Sequence, residues 1–231
     1  MKILILFFAL LPFKSFSYLD IEFLNTESMY NYFSIPNDNE ENRIDMPKGT
    51  TGNTFRIFYE SSVDKWSYTA LYSPLELDYN FVSEKPFYFN NTVFARDSLT
   101  TVKYKFNSYR FGIRRNYGTK NNRFYLGGLL KIRDAKLCVT QESIENCYDN
   151  IGPVPLLNIG FEKSLGHLFL HSNIDGLFSS KGSAYDANIE LGLNLNLLSL
   201  SFGVRTLGGG ANNDKLINFA RFQSYYVKFI F

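Results

Sequence analysis

The chain has few long hydrophobic runs, little net charge and few chemically reactive side chains. Beyond its first residues it contains no stretch of the roughly 20 apolar residues that a membrane-spanning helix needs, which excludes a helical membrane protein. The 24 Lys and Arg against 22 Asp and Glu leave a formal net charge of +2, so nucleic-acid binding is not expected. Only 2 histidines and 2 cysteines are available for catalysis or metal binding. Aromatic residues, in contrast, make up 17% of the chain, which is typical of proteins that lie at membrane–water interfaces.

A cleaved secretory signal peptide is predicted at residues 1–17. Met1-Lys2 supplies a positive n-region, Ile3–Phe13 an apolar h-region, and Ser15-Phe16-Ser17 small residues at the cleavage positions. The apolar run is too short for an anchor helix that spans a bilayer. No cysteine lies near the junction, so lipoprotein processing is not expected. We therefore expect an exported mature domain of residues 18–231.

Alternation of apolar and polar residues predicts that this mature domain is all-β. Along Tyr185–Leu197, odd positions are apolar or aromatic apart from the small Ala187, and even positions are Asp, Asn, Glu or Gly. One such segment also fits a water-soluble barrel or sandwich. Several segments, however, are as long as a tilted membrane-crossing strand of roughly 9–11 residues. Their number and length favour a transmembrane, antiparallel, up-and-down β-barrel as a single domain.

Ten strands are predicted, with eight as the alternative if two weaker segments are loop extensions. The predicted strands are Leu19–Phe33, Thr54–Ser62, Lys65–Tyr79, Thr101–Tyr117, Arg123–Leu137, Pro153–Lys163, His167–Phe178, Tyr185–Leu197, Leu198–Thr206 and Asn218–Phe231. Long connections alternate with short ones, and an even strand number returns both termini to the periplasm. A change of phase predicts a β-bulge near Asn107-Ser108, and Pro74 and Pro155 predict further bulges or frayed positions.

The C-terminus carries a resemblance to a known class of proteins. Tyr225, Val227, Phe229 and Phe231 alternate along the final strand and end the chain on an aromatic residue. This pattern resembles the C-terminal insertion signal of bacterial outer-membrane β-barrel proteins, and the phrases at residues 105–110 and 131–134 are similar to those of an uncharacterised family of such barrels. The resemblance implies the outer membrane as location, and lipid, lipopolysaccharide and the barrel-assembly machinery as partners.

If apolar side chains face lipid, the alternate polar positions fill the lumen. The residues assigned to this polar network are Asp20, Glu22, Arg56, Lys105, Arg110, Lys131, Arg133, His171, Asp175, Asp186, Glu190, Arg205 and Lys228. A barrel of about 8–10 strands has room only for its own side chains or one small ligand, so a plugged, ion-paired interior is expected. The basic residues lie mainly on predicted strands four and five and the acidic ones on seven and eight, which keeps a narrow, porin-like channel open as an alternative.

Cys138 and Cys147 lie in a predicted long external loop, Cys138–Gly152. Because an exported protein meets oxidising conditions, these cysteines are expected to form a disulfide that pins the loop. A metal site is the alternative, but no histidine lies nearby, and neither a metal nor a cofactor is expected.

Hydrolase activity is the third functional reading. His171-Ser172-Asn173 resembles the His-x-Ser-Asn motif of outer-membrane lipid A deacylases but lacks the spacer, so His171 and Ser172 should face opposite sides of a strand. Omptin-type proteases carry acidic residues and a histidine at the outer rim, where Asp78, Asp134, Asp175 and Asp214 are the candidates here. The sequence therefore favours a non-enzymatic role in surface interaction or envelope structure, and names no extracellular ligand.

Overall fold

A computed structural model describes residues 16–36, 43–119, 121–180, 182–195, 197–213 and 216–231. The predicted signal peptide lies outside these residues except for Phe16 and Ser17, which begin the first strand. No helix in the described part of the chain is long and apolar enough to cross a membrane.

Antiparallel strands account for most of the described residues. Their bounds are β1 Phe16–Ser34, β2 Ile44–Asp45, β3 Thr51–Val63, β4 Trp66–Ser73, β5 Glu76–Val82, β6 Phe87–Phe89, β7 Thr92–Phe94, β8 Leu99–Thr119, β9 Asn122–Gln141, β10 Ile144–Leu165, β11 Leu168–Ser179, β12 Gly182–Asn194, β13 Ser199–Asn213 and β14 Leu216–Ile230. Strands β4 and β5 act as one wall strand, because both pair with β8 on either side of a break at residues 74–75. The break contains Pro74, which has no N–H for the ladder.

The sheet closes on itself into a barrel of 10 strands. Strand β14 pairs with β1, with Lys228 opposite Glu22. Leu19 and Phe231 exchange backbone hydrogen bonds of 3.1 and 2.9 Å at the end of this seam. The predicted ten-stranded antiparallel barrel is therefore confirmed, and the eight-stranded alternative is wrong.

The two ends of the barrel differ, and we name them by their connections. The short-turn end carries the short connections β3–β4, β8–β9, β10–β11 and β12–β13 together with both ends of the described chain. The opposite, loop end carries the segments between β1 and β3 and between β5 and β8. The second of these contains the hairpin β6–β7.

Two predicted long loops are mostly strand. Strands β9 and β10 stay paired from Asn122 and Lys163 out to Gln141 and Ile144, so the predicted loop Cys138–Gly152 is a hairpin with a turn at residues 142–143. Strands β13 and β14 likewise pair out to Asn213 and Leu216. Continued pairing satisfies the backbone polar groups of these segments, which outweighs their polar, loop-like composition.

The predicted bulge at Asn107-Ser108 is wrong, because β8 and β9 pair without a shift from Thr100 to Thr119. The register shift lies instead between Ser28 and Tyr30 in β1. Pro155 is not a bulge either. It lies within the ladder to β9, in a part of β10 that extends beyond its pairing with β11, so its missing N–H costs no hydrogen bond on that side.

An apolar belt surrounds the outside of the barrel at its short-turn half. Exposed apolar side chains of the belt include Phe23, Phe55, Ile57, Tyr68, Ile113, Phe124, Leu126, Leu130, Leu157, Ile159, Phe161, Leu168, Ile174, Ile189, Leu191, Leu193, Phe202, Val204 and Tyr225. On β9 the belt runs from Phe124 to Ile132 and gives way to Asp134, a length that fits a tilted crossing of roughly 9–11 residues.

The inside and outside of the barrel exchange polarity above this belt. On β8, Tyr109, Phe111 and Ile113 share the outward side, whereas Val102 and Tyr104 are buried on the inward side and Lys103 is exposed. This exchange produces the phase change in the sequence without any backbone irregularity.

Candidate functional site

The interior of the barrel has three levels, and the one at the loop end is apolar. We call this level the apolar cap. Its buried members are Phe33, Ile35, Ile44, Met46, Leu75, Leu77, Tyr79, Phe87, Phe89, Phe94, Val102, Tyr104, Leu137, Val139, Ala220 and Phe222. Phe87 and Phe94 of the hairpin stack at 5.1 Å between ring centroids, and Phe89 meets Phe33 edge to face at 5.3 Å. The segments between β1 and β3 and between β5 and β8 thus fold inward, and their side chains pack into the loop end of the barrel.

The phenol hydroxyl of Tyr79 in the cap is satisfied by hydrogen bonds. Tyr79 donates to Ser28 Oγ at 2.9 Å, and the Asn31 side-chain amide donates to the Tyr79 hydroxyl at 3.2 Å. Burial raises the pKa of the Tyr79 phenol above its ordinary value. These two hydrogen bonds hold β5 against β1 from inside.

Below the cap, the middle level of the lumen centres on Asp186. Its carboxylate contacts Arg110 and Arg205 at 2.7 Å each and Arg56 at 3.6 Å. Arg110 also holds Asp175 at 2.6 Å. Because these groups belong to strands on different sides of the barrel, their ion pairs cross the lumen.

Glu22 completes this level at the seam between the first and last strands. It contacts Arg205 at 3.0 Å and Arg56 at 3.5 Å. Lys228, its partner in register, contacts Asp20 at 3.5 Å and also bonds to Glu190. The buried charges of the seam thus have partners of opposite sign, which is the condition for placing them inside a barrel at all.

His171 lies in the lumen between a phenol and a carboxylate. Its Nε2 is 2.8 Å from the Tyr125 hydroxyl, and its Nδ1 is 2.8 Å from Glu190 Oε1. The Tyr125 hydroxyl also lies 3.0 Å from the Asn173 side-chain oxygen. Ser172 is on the other side of β11, where its hydroxyl donates to the backbone oxygen of Asn188 at 3.0 Å. His171 and Ser172 therefore do not form a base–nucleophile pair.

The third level, toward the short-turn end, is a second ion cluster. Glu60 is fully buried and bonds to Arg114, to the Tyr18 hydroxyl and, at 3.1 Å, to Arg123. Arg123 extends the chain of charges to Glu162 at 2.7 Å. Tyr18 and Arg123, like Tyr125 and Tyr226 in the middle level, were missed as site residues in the sequence. Each of them occupies an inward-facing position of its strand, as the predicted lumen residues of the same strands do, and this alternation is the signal that locates them.

Lys105 was predicted in the lumen and lies instead on the outer surface. It occupies the outward parity of β8 and contacts Asp134 of β9 at 2.7 Å. The hydrogen bond that Lys105 donates to the Asp134 carboxylate raises the pKa of Lys105 above its ordinary value. The prediction is wrong because the polarity of the inward and outward sides is exchanged above the belt. A charged side chain there no longer indicates an inward position.

Lys131 and Arg133 do lie inside, but apart from the ion clusters. Within the described residues no carboxylate lies within salt-bridge distance of either one. Lys131 packs its ammonium over the Phe106 ring at 4.5 Å, and Arg133 donates to the Asn150 side-chain oxygen at 2.5 Å. Both border a small cavity of about 200 Å³.

The four candidate acidic residues for a protease-like rim do not converge. Asp78 is exposed on the outer side of β5, Asp134 pairs with Lys105 outside, and Asp175 is buried inside with Arg110. Asp214 lies outside the described residues. His167 is in a turn at the opposite, short-turn end, where its backbone oxygen accepts a bond from Asn194.

A large polar vestibule opens at the short-turn end. Its volume is about 1020 Å³, and its walls include Arg123, Glu162, His171 and Lys228. It ends where the Asp186 ion pairs cross the lumen. The interior is therefore accessible from the short-turn end and closed by charged groups and then by the cap toward the loop end.

The predicted disulfide is confirmed, although in a different setting. Cys138 of β9 and Cys147 of β10 are directly opposite each other and are bonded. The disulfide therefore joins two paired strands, between the belt and the loop end, instead of the ends of a loop. Glu145 lies close to both sulfur atoms. Because the sulfurs are bonded to each other, they are not available as thiolate ligands for a metal.

The C-terminal strand places its alternating residues as the sequence predicts. Tyr225 and Phe231 are each 59% exposed on the outer surface, and Val227 and Phe229 share that side. Phe23 of β1 meets Phe229 edge to face at 6.3 Å. A role of these residues as an assembly signal stays a prediction.

Comparison with known proteins supports the fold. No family model matches the chain, and no curated protein matches it by sequence. Among solved structures, the outer membrane protease OmpT from Escherichia coli is 8% identical with a TM-score of 0.55, over 94% of this chain and 97% of that one. Neisserial surface protein A (10% identity, TM-score 0.37, 93% and 95% coverage) and the attachment invasion locus protein Ail of Yersinia pestis (10%, 0.42, 93% and 99%) also match. The match to OmpT shows that the chain has the fold of an outer-membrane β-barrel.

Proposed function

We propose that this protein is an integral barrel of the bacterial outer membrane, with a sealed interior and a role in interactions at the cell surface. The apolar cap is the observation that carries the proposal. A channel needs a continuous wet path, whereas here the loop end of the lumen is filled by packed aromatic and aliphatic side chains. The apolar belt, which gives way to polar residues on β8 and β9 toward the loop end, supports insertion in lipid with both termini at the periplasmic side.

The strands above the belt supply a surface for such interactions. On their outward sides, Asp78, Lys103, Lys136 and Asp149 are exposed, and the Cys138–Cys147 bond ties β9 to β10 at this height. We call this outward polar face of β5 and β8–β10 the platform. Paired, crosslinked strands lose little entropy on binding, so a platform of this kind favours recognition of a partner over free loop motion.

The experiment is an attachment assay with bacteria that produce the protein in their outer membrane. Producing cells should adhere to epithelial cells or extracellular matrix more strongly than cells with an empty vector. Reversing platform charges with Lys103→Glu and Lys136→Glu should reduce the difference, whereas Lys65→Glu in a short turn should leave it unchanged. Equal attachment with and without the protein, at equal amounts of folded barrel, would contradict the proposal.

The vestibule supports one second candidate, a narrow channel for small solutes in which the cap is displaced. A polar cavity of about 1020 Å³ already spans the short-turn part of the lumen. Liposome swelling in solutions of amino acids and sugars tests this candidate. Uptake above that of empty liposomes would favour the channel over the sealed barrel.

A further inference from the structure

The small cavity beside Lys131 and Arg133 is separate from the vestibule and has a different chemistry. Its volume of about 200 Å³ exceeds the roughly 30 Å³ share of one water molecule in the liquid several-fold. Two cations stand on one wall, and Tyr104, Phe106 and Phe222 supply apolar surface. Gly208, Gly209 and Gly210 of β13 also line the cavity.

Among the described residues, neither cation of this cavity forms a salt bridge with a carboxylate. Lys131 is 3% exposed, and Arg133 carries a buried Nε without a hydrogen-bond partner among the described residues. The nearest buried carboxylates, Asp175 and Asp186, are already held by arginines. Moreover, Lys131 lies directly opposite Arg110 on the neighbouring strand. Like charges in a poorly solvated space repel each other, so an anion in the cavity would be strongly favoured.

Spacing and shape restrict which anion fits. Lys131 and Arg133 are two residues apart on β9, so both point inward about 6.6–6.8 Å apart along the strand. A carboxylate between them accepts hydrogen bonds from both, which a guanidinium favours through its planar fork. The aromatic walls then contact whatever the carboxylate is attached to.

We propose that this cavity binds a small organic carboxylate with an apolar body. The carboxylate lies between Lys131 and Arg133, and the apolar body packs against Phe106 and Phe222. Ser179, exposed at the end of β11, borders the same cavity, so the ligand enters from the loop end between β11–β12 and β13–β14.

Benzoate is the probe, and calorimetric titration of the folded protein in detergent at constant ionic strength is the measurement. Benzoate should bind saturably, and benzamide, its neutral analogue, should not. Lys131→Met should weaken benzoate binding by about tenfold or more, since it removes a charge-assisted hydrogen bond. Lys65→Met, at an exposed site in a short turn, is the matched control and should bind benzoate like the unaltered protein.

A second variant guards against misfolding of the first. If Lys131→Met does not fold, Arg133→Gln should show the same loss of benzoate binding. Absence of saturable benzoate binding, equal binding of benzamide, or binding of inorganic phosphate in place of benzoate would each overturn the proposal.

Discussion

Arg110 of β8 and Asp186 of β12 form a 2.7 Å ion pair that crosses the lumen of the barrel. Both side chains are 3% exposed. Strand β8 is bonded to β4, β5 and β9, and β12 to β11 and β13, so the pair joins walls that share no backbone hydrogen bonds. A crosslink of this kind makes the polar interior part of the structure and leaves no straight passage at that level.

Replacing Asp186 by Asn should destabilise the barrel substantially. The change removes the charge that three arginines share and leaves them, in the described part of the chain, only Glu22 and Asp175 as salt-bridge partners. Loss of one member of a buried ion pair costs about 3–5 kcal/mol. Denaturant unfolding in detergent, followed by tryptophan fluorescence or gel mobility, measures the effect. The same change at exposed Asp78 serves as the control, and equal stability of the two variants would show that the network contributes little.

The apolar cap makes a similar prediction through packing. Phe89 is completely buried between Phe33 and Phe94, so Phe89→Ala should lower the free energy of unfolding by about 3–5 kcal/mol. Tyr88→Ala, at the partly exposed neighbouring position on the same short strand, should cost much less. If the two changes have the same small effect, the hairpin does not pack into the mouth.

The disulfide predicts a simple labelling result. In protein isolated from the cell envelope, a thiol-reactive probe should label Cys138 and Cys147 only after reduction, because the oxidising compartment keeps the two sulfurs bonded. Mass spectrometry of the labelled peptides makes the measurement. Free thiols at both positions before reduction would contradict the proposed export.

The C-terminal residue predicts an assembly phenotype. Deleting Phe231 removes both backbone bonds to Leu19 and an exposed aromatic side chain at the barrel seam. The shortened protein should insert poorly into the outer membrane and yield less of the species that shifts on an unboiled gel. Deleting Lys2 within the predicted signal peptide, with an intact C-terminus, is the comparison variant. It tests export, whereas the deletion of Phe231 tests assembly in the outer membrane. Normal insertion without Phe231 would exclude it as part of the signal.

Local sequence patterns predicted the barrel fold, but they did not predict which side chains face inward between the belt and the loop end. The alternation at Tyr185–Leu197 follows from one lipid-facing side, and such a pattern can be read from a single strand. Lys105 was assigned to the wrong side because above the belt apolar residues turn inward, as in a water-soluble protein. The position of that change depends on where the membrane ends, and the sequence of a single strand does not show this position.

The ion clusters of the lumen could likewise be predicted only in part from the sequence. Inward parity located Asp186 and Arg110, but pairing across the lumen depends on strand number and stagger, which are properties of the closed sheet. Sequence reasoning therefore grouped Lys131 and Arg133 with the paired charges, although they stand apart. The cap was missed because its loop segments carry no periodicity, and their hydrophobic residues are too scattered to indicate burial.

Conductance of the native protein in a planar lipid bilayer tests the sealed interior most directly. Purified, folded protein should insert without stable conductance steps, because the cap and the Asp186 ion pairs block the lumen at two levels. An open porin added to the same bilayer verifies that insertion is detected. Large, stable conductance of the unaltered protein would contradict the sealed barrel and establish a channel.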